Sequence, residues 1–133
     1  MKYMFDTSIC LYARKGMFPA LANRLPNVRN GDACISVITY GELLTGAAKS
    51  NQSVAARAAI ARTTSLLAVY PLDEAVAETY ANIRAYLDRK GTPIGRNDLW
   101  IGAHALTLGV TLITNNDKEF KRIPKLKIEN WTK

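Results

Sequence analysis

The chain has 133 residues, with 18 Lys and Arg against 11 Asp and Glu, a formal charge of +7 at neutral pH. That length suits one domain, residues 1–133, able to bury its own core without metal or disulfide staples, and its apolar runs fall short of the ~20 residues a membrane helix needs. The opening MKYMFDTS lacks the apolar core of a signal peptide, and Cys10 and Cys34 have neither CxxC spacing nor a neighbouring His, so the expectation is a cytoplasmic protein with reduced core thiols and no Cys/His metal site.

Lys2 to Phe5 reads as a short apolar strand, turning at Asp6-Thr7-Ser8 into a helix that continues through Ile9-Cys10-Leu11-Tyr12. Met17 to Leu25 is a second short helix stopped by Pro26, and 27–32 is a polar loop. A second strand spans 33–38, followed by Thr39-Tyr40-Gly41-Glu42 and a helix from Leu43 to Lys49. Ser53 to Leu67 is Ala-rich and helix-favouring, with Val54, Ala58, Ala61 and Ser65 near helical spacing, the second arm of a helical hairpin. A short third strand at 68–72 carries Pro71, which cannot donate to a ladder. From Asp73, an expected N-cap, the stripe Val76, Tyr80, Ile83, Leu87 marks an amphipathic helix that ends at Gly91. The turn Thr92-Pro93-Ile94-Gly95 leads to a helix from Asp98 to Leu108, apolar nearly all round and therefore buried. Gly109 closes it. Val110 to Thr114 is an interior strand and Lys125 to Trp131 a last edge strand.

Strands alternating with helices imply a parallel sheet covered on both faces, an α/β fold in which every strand end and every helix start lies at one edge. Carboxylates recur there: Asp6 after the first strand, Glu42 at the opening of the helix after the second, Asp98 at the opening of the buried helix, and Asp117 after the fourth strand, with Glu119 close behind. Each has a structural alternative. Asp6 or Asp98 fits an N-cap, and Thr39-x-x-Glu42 fits a capping box.

Three or four anions at one edge raise each other's pKa unless a cation neutralises them. Hard oxygen ligands suit Mg²⁺, with Mn²⁺ as substitute, and such an ion polarises a phosphate and generates a hydroxide nucleophile from bound water. The expected chemistry is therefore phosphodiester hydrolysis with no covalent intermediate. His104, the only histidine, lies within the apolar helix and reads as a core or supporting residue; no GxSxG or glycine-rich phosphate loop is present. The basic surplus fits a polyanion such as RNA or DNA, and it equally fits an ordinary solvated basic surface.

At these residues the chain resembles the PIN-domain ribonucleases of the VapC toxin group. The resemblance spans nearly the whole chain and is carried by Phe5-Asp6-Thr7-Ser8, by Ile38-Thr39-Tyr40-Gly41-Glu42-Leu43, by 91–98 (GTPIGRND), and by 112–120 (LITNNDKEF) running on to Glu129-Asn130-Trp131. It implies a three-layer α/β/α domain around a mainly parallel sheet of four or five strands. It also implies Mg²⁺ held by an acidic cluster and cleavage of RNA by metal-activated water.

Asp6, Glu42 and Asp98 match the family's dependable acids, with Asp6 and Asp98 as the expected metal ligands. Where the family often has Thr-x-Asp, this chain has Thr114-Asn115-Asn116, which puts Asn116 at the fourth position and leaves Asp117, taken as the fourth catalytic acid, or Glu119 in support, to contribute through a shifted position or a water. Thr7 or Ser8 and Asn116 would support ligands or phosphate by hydrogen bonding, and Ser8 replaces an Asn common in relatives. The resemblance further implies a small antitoxin whose segment lies in a groove lined by the 39–67 hairpin and by 10–25, toxin homodimers within that complex, and tRNA as substrate, with initiator tRNA cut in its anticodon loop as the leading expectation.

A binding module of the same fold that grips RNA or a protein without chemistry is the alternative. Retention of Asp6, Glu42 and Asp98 argues against it and Asn116 argues for it. A phosphatase or receiver-type domain fits less well: the first strand lacks a second aspartate, and no lysine ends the fourth.

Overall fold

Short β-branched and apolar runs make the strands, and glycines stop three of the helices. The computed structural model describes residues Met1–Lys133 and contains β1 (Tyr3–Phe5), β2 (Ala33–Ser36), β3 (Ala68–Tyr70), β4 (Thr111–Ile113) and β5 (Ile128–Glu129) in one sheet of order β3-β2-β1-β4-β5. Every pairing is parallel, with Met4 opposite both Cys34 and Leu112. The helices are α1 (Thr7–Lys15), α2 (Pro19–Arg24), α3 (Val37–Lys49), α4 (Ser53–Leu66), α5 (Glu74–Lys90), α6 (Arg96–Leu108) and α7 (Asp117–Phe120), with a 3-10 turn at Leu25–Asn27.

Strand alternation divides the core into two layers. Met4, Cys34 and Leu112 face α5 and α6, where they meet Val76, Ile83, Leu87, Leu99 and Ile101. Phe5, Ala33, Ile35 and Ile113 face the other way, against Ile9, Leu21, Leu43, Ile60 and Trp131. Both cysteines are free and buried, and burial pushes the Cys10 thiol up to about 12 and that of Cys34 up to about 11, so both stay protonated in the core. The expected stripe of α5 is buried or half-buried throughout, and Asp73 caps that helix by accepting the Val76 N–H at 3.0 Å. Gly91 and Gly109 close α5 and α6 at φ +70° and +71°.

Several local expectations are corrected. The second strand ends at Ser36, not at residue 38, because the Ser36 hydroxyl accepts the Ile38 N–H at 3.1 Å and starts α3 there. Thr39 is consequently inside the first turn, and no Thr39–Glu42 capping box forms. On α4 the Val54, Ala58, Ala61, Ser65 stripe faces solvent, with Val54 85% exposed, while Ala59 and Ile60 are buried. In an Ala-rich helix several faces are similarly apolar, so spacing alone does not choose one. The last edge strand shrinks to two residues, and a one-turn helix, α7, follows β4.

No helix is long and apolar enough to cross a membrane.

Candidate active site

The sheet order reverses between β1 and β4: from β1 the chain builds outward through β2 and β3, then returns to place β4 on the other side of β1. At such a switch point the loops beyond the two strand ends part in opposite directions and leave a crevice at the carboxyl edge. Asp6 follows β1 and Thr114 follows β4, so both stand in that crevice.

Asp6 is 4% exposed and does two things at once. Its Oδ1 accepts the Ile9 N–H at 2.9 Å as the N-cap of α1, and its Oδ2 accepts the Thr114 hydroxyl at 2.5 Å. Asp6 is therefore a helix cap whose second oxygen is held by the residue that follows β4. Burial raises the Asp6 carboxyl to about 6; the bonds from Thr114 and Ile9 oppose that rise, and the charges of Asp98 and Glu42 add to it.

Glu42 lies in the second turn of α3 and turns away from its own helix start. Thr7 donates to its Oε1 at 2.5 Å, and Asn97 donates to its Oε2 at 3.4 Å. Thr7 also contacts the buried Thr39 hydroxyl at 3.3 Å, so α1 and α3 are tied together at the acid.

Asp98 is in the first turn of α6, whose N-cap is Gly95, so the aspartate is not itself the cap. Its carboxyl is raised by burial first, then by the charges of Glu119 and Glu42, and the Asn116 amide draws it back down. Asn116 donates to Glu119 Oε2 at 2.9 Å, and its own N–H is held by Thr114 Oγ1 at 2.9 Å.

The acids that act on one another are thus Asp6, Glu42, Asp98 and Glu119. Asp117 points elsewhere. It accepts Asn130 Nδ2 at 2.9 Å and lies 3.9 Å from Lys133 Nζ. Ser8 is half-buried in the first turn of α1, and none of the hydrogen bonds around Asp6 or Glu42 uses it. His104 is buried, with Nδ1 2.9 Å from Ser36 Oγ, and burial lowers its pKa. This bond ties α6, which carries Asp98, to the cap of α3, which carries Glu42.

Sequence reasoning missed Thr114 and Asn97 as site residues. Thr114 was visible only as the residue two before Asn116, and Asn97 only as the neighbour of Asp98; neither type announces a partner far away in the chain.

No three His, Cys, Asp or Glu side chains close on one point as a finished ligand cage. The donor set nonetheless suits a small hard cation. It is all oxygen, neighbouring carboxylates add to the raised pKa values of Asp6 and Asp98, and Mg²⁺ takes only one or two carboxylates directly while keeping several waters. Asp6 and Asp98, both raised and each raised in part by neighbouring carboxylates, are the pair that a divalent ion would relieve most.

Comparison with known proteins agrees with this geometry. The PIN domain family model matches residues 3–126. Ribonuclease VapC1 of Haemophilus influenzae (strain R2866) is 41% identical, with all of both chains covered. The tRNA(fMet)-specific endonuclease VapC of Shigella flexneri is 38% identical over 99% of each. Among solved structures, a chain of the DNA-bound VapBC of Salmonella typhimurium superposes with a TM-score of 0.92 at 39% identity, over 98% of each chain. Residues 3–126, the five-stranded parallel sheet and the full-length relatives all lead to one assignment: the chain belongs to the PIN-domain family, among the VapC ribonucleases.

Proposed function

We propose that residues 1–133 form a single PIN domain acting as a Mg²⁺-dependent endoribonuclease toxin of a type II toxin–antitoxin pair, which cleaves tRNA and so stops translation in the cytoplasm. Initiator tRNA, cut in the anticodon loop, is the leading substrate, and Mn²⁺ substitutes for Mg²⁺. The geometry that carries this reading is the hydrogen-bond network at the β1/β4 edge: Thr114 joins Asp6 to the Asn116–Glu119 pair, and Glu42 is held by Thr7 and Asn97, the chain neighbours of Asp6 and Asp98. The relatives named ribonuclease and tRNA(fMet)-specific endonuclease support the substrate class.

In this reading Asp6 and Asp98 would hold the cation. When bound, the ion supplies charge to neutralise the phosphate and lowers the pKa of a coordinated water. Thr114 fixes Asp6 Oδ2, and Thr7 fixes Glu42 Oε1. Glu42 Oε2, held only by the 3.4 Å contact from Asn97, is the atom free to take a proton from the attacking water. Asn116 orients Glu119 by donating to it from Nδ2. Of the 11 acids, four sit in the cluster and seven remain against 18 cations, so the rest of the surface favours an RNA backbone through counterion release.

The toxin–antitoxin part rests on a groove of about 520 Å³ between α1, the 25–30 loop and α4. Its floor is apolar, including Ala13, Leu25, Val28 and Leu67, and Arg14, Arg29 and Arg62 stand among its lining residues. An antitoxin segment with an apolar face would fill it, and VapBC complexes are the structural relatives. Toxin homodimers within that complex complete the proposal.

The test is cleavage of bulk tRNA by purified protein with Mg²⁺, with EDTA, and with Asp98→Asn. Cleavage that needs Mg²⁺ and falls ~10²–10³-fold in the variant is expected. Undiminished cleavage in EDTA, or by Asp98→Asn, overturns the reading, and binding of tRNA without cleavage replaces it with the non-catalytic module.

A further inference from the structure

Four hydrogen-bonding residues after β4 and β5 form a polar knot beside the crevice. Asn130 donates from one amide nitrogen to Asn115 Oδ1 at 3.2 Å and to Asp117 Oδ1 at 2.9 Å. Thr132 Oγ1 reaches Asn115 Oδ1 at 3.0 Å and Asn130 Oδ1 at 2.6 Å, and its N–H donates to Asn130 Oδ1 at 2.9 Å. Lys133 Nζ lies 3.9 Å from Asp117 Oδ2. Both residues gripped by Asn130 flank Asn116, and Asn116 in turn bonds Glu119.

The same segment is anchored under the opposite side of the site. Trp131, 2% exposed, packs edge-to-face on Tyr3 at 4.9 Å and on Phe5 at 5.6 Å, and Phe5 immediately precedes Asp6. Its Nε1 donates to Glu129 Oε1 at 2.9 Å, and the Arg24 guanidinium lies 4.5 Å above its ring. A short polar loop such as 114–117 has little core of its own to hold it, so its conformation is set by whatever ties its side chains down.

We infer that residues 130–133 are a clasp on the β4–α7 loop, with Asn130 as a positioning residue for Asn116 and Glu119, and that the Asp117 carboxylate belongs to this clasp rather than to the acid cluster. Asp117 then serves as a hydrogen-bond acceptor, for which its negative charge is dispensable. The clasp's catalytic consequence rests on the ribonuclease reading above, whereas its effect on the loop does not.

Four proteins separate the roles: wild type, Asn130→Ala, Asp117→Asn and, as the milder perturbation, Thr132→Val. Three quantities are measured: amide hydrogen exchange over residues 115–120, the dissociation constant for Mn²⁺ by paramagnetic resonance, and kcat and KM on tRNA. Asp117→Asn keeps an acceptor for Asn130 and should retain wild-type exchange, metal affinity and kcat. Asn130→Ala should speed exchange in the loop and weaken Mn²⁺ roughly ten- to a hundredfold, with kcat falling alongside, as loss of outer hydrogen bonds around a metal site does. Thr132→Val should move the same three quantities less.

A collapse of metal affinity in Asp117→Asn overturns the inference, since it makes that carboxylate a ligand. Unchanged exchange and metal affinity in Asn130→Ala overturn it as well. If the wild type cuts no RNA, the ribonuclease reading fails while exchange and Mn²⁺ binding still decide the clasp.

Discussion

Thr114 gives its hydroxyl proton to Asp6 Oδ2 across 2.5 Å and, on the same oxygen, accepts the backbone N–H of Asn116 at 2.9 Å. One buried hydroxyl thus joins the acid after β1 to the loop after β4. It also holds the Asp6 carboxyl below the value that burial alone would impose. Thr114→Val should therefore push the Asp6 pKa further up and move the acid limb of the kcat/KM profile to higher pH. Leaving a buried acceptor and an N–H without their partner should also cost about 1–3 kcal/mol in urea unfolding. Thr114→Ser should restore both. An unmoved acid limb in Thr114→Val would show that this bond does not tune Asp6.

Metal-free stability should fall as the pH rises through the acid range. The Asp6 carboxyl is near 3.8 in an unfolded chain and about 6 in the folded one, so between these values the folded state binds more protons. Its contribution is fully present below pH 3.8 and lost as the pH passes about 6. At 1.36 kcal/mol per pH unit the loss is roughly 3 kcal/mol. Urea unfolding in EDTA between pH 4 and 8, wild type against Asp6→Asn, isolates the term: the wild type should lose stability relative to the variant across that span. Mg²⁺ at neutral pH should raise the wild-type midpoint and leave Asp6→Asn unmoved. A difference curve that is flat, or that slopes the other way, would contradict the raised Asp6 carboxyl, whose main cause is burial.

Glu42→Gln tests the proton-accepting role without altering size. Oε1 still accepts from Thr7, so the fold of the α1–α3 junction should persist, with a melting temperature close to that of the wild type. General-base assistance contributes ~10²–10⁴-fold, and that factor should come off kcat with KM little changed. A variant whose KM rises while kcat holds would make Glu42 a substrate-binding residue instead.

Gly102 sets how closely α6 approaches the α7 region. A Cβ there would stand 2.4 Å from Ile123 Cδ1 and 3.5 Å from Phe120, the residue beside Glu119. Gly102 lies one turn beyond Asp98 on α6, so this approach helps place Asp98 and Glu119 within electrostatic range. In Gly102→Ala the terminal methyl of Ile123 can swing aside, and the gain in helix propensity offsets part of the strain. Gly102→Val has no such outlet and should cost about 1–3 kcal/mol, with a larger fall in kcat than in Gly41→Ala, where the added Cβ meets open space. Thermal unfolding and single-turnover cleavage measure the two effects. Full activity in Gly102→Val would mean that α7 tolerates displacement.

Much of the architecture was readable from periodicity because it is a local property. The stripe Val76, Tyr80, Ile83, Leu87 needs only a 3.6-residue repeat and an apolar partner, and Gly91 and Gly109 stop their helices by favouring positive φ. Local competition produced the errors. After Ser36 the β-branched Val37 and Ile38 favour continued strand, yet a side-chain cap on the Ile38 N–H turned the chain into helix. Four residues of α7 are too few to display any period, so Asp117 and Glu119 looked equivalent. In the helix, Glu119 shares a face with Asn116 three residues earlier, and Asp117 is rotated toward Asn130.

By itself, the sequence determined that carboxylates would stand at one edge of a parallel sheet, since alternating strands and helices send every strand end the same way. Only the tertiary structure decided which of them meet. Strand order depends on pairings between residues over a hundred positions apart, such as Phe5 with Ile113, and that order opened the crevice between β1 and β4. Asp6, Glu42, Asp98 and Glu119 act on one another there, and Asp117 is spent on Asn130. A carboxylate's identity is written in the chain, but its partners are fixed by register and packing, which no single stretch of residues contains.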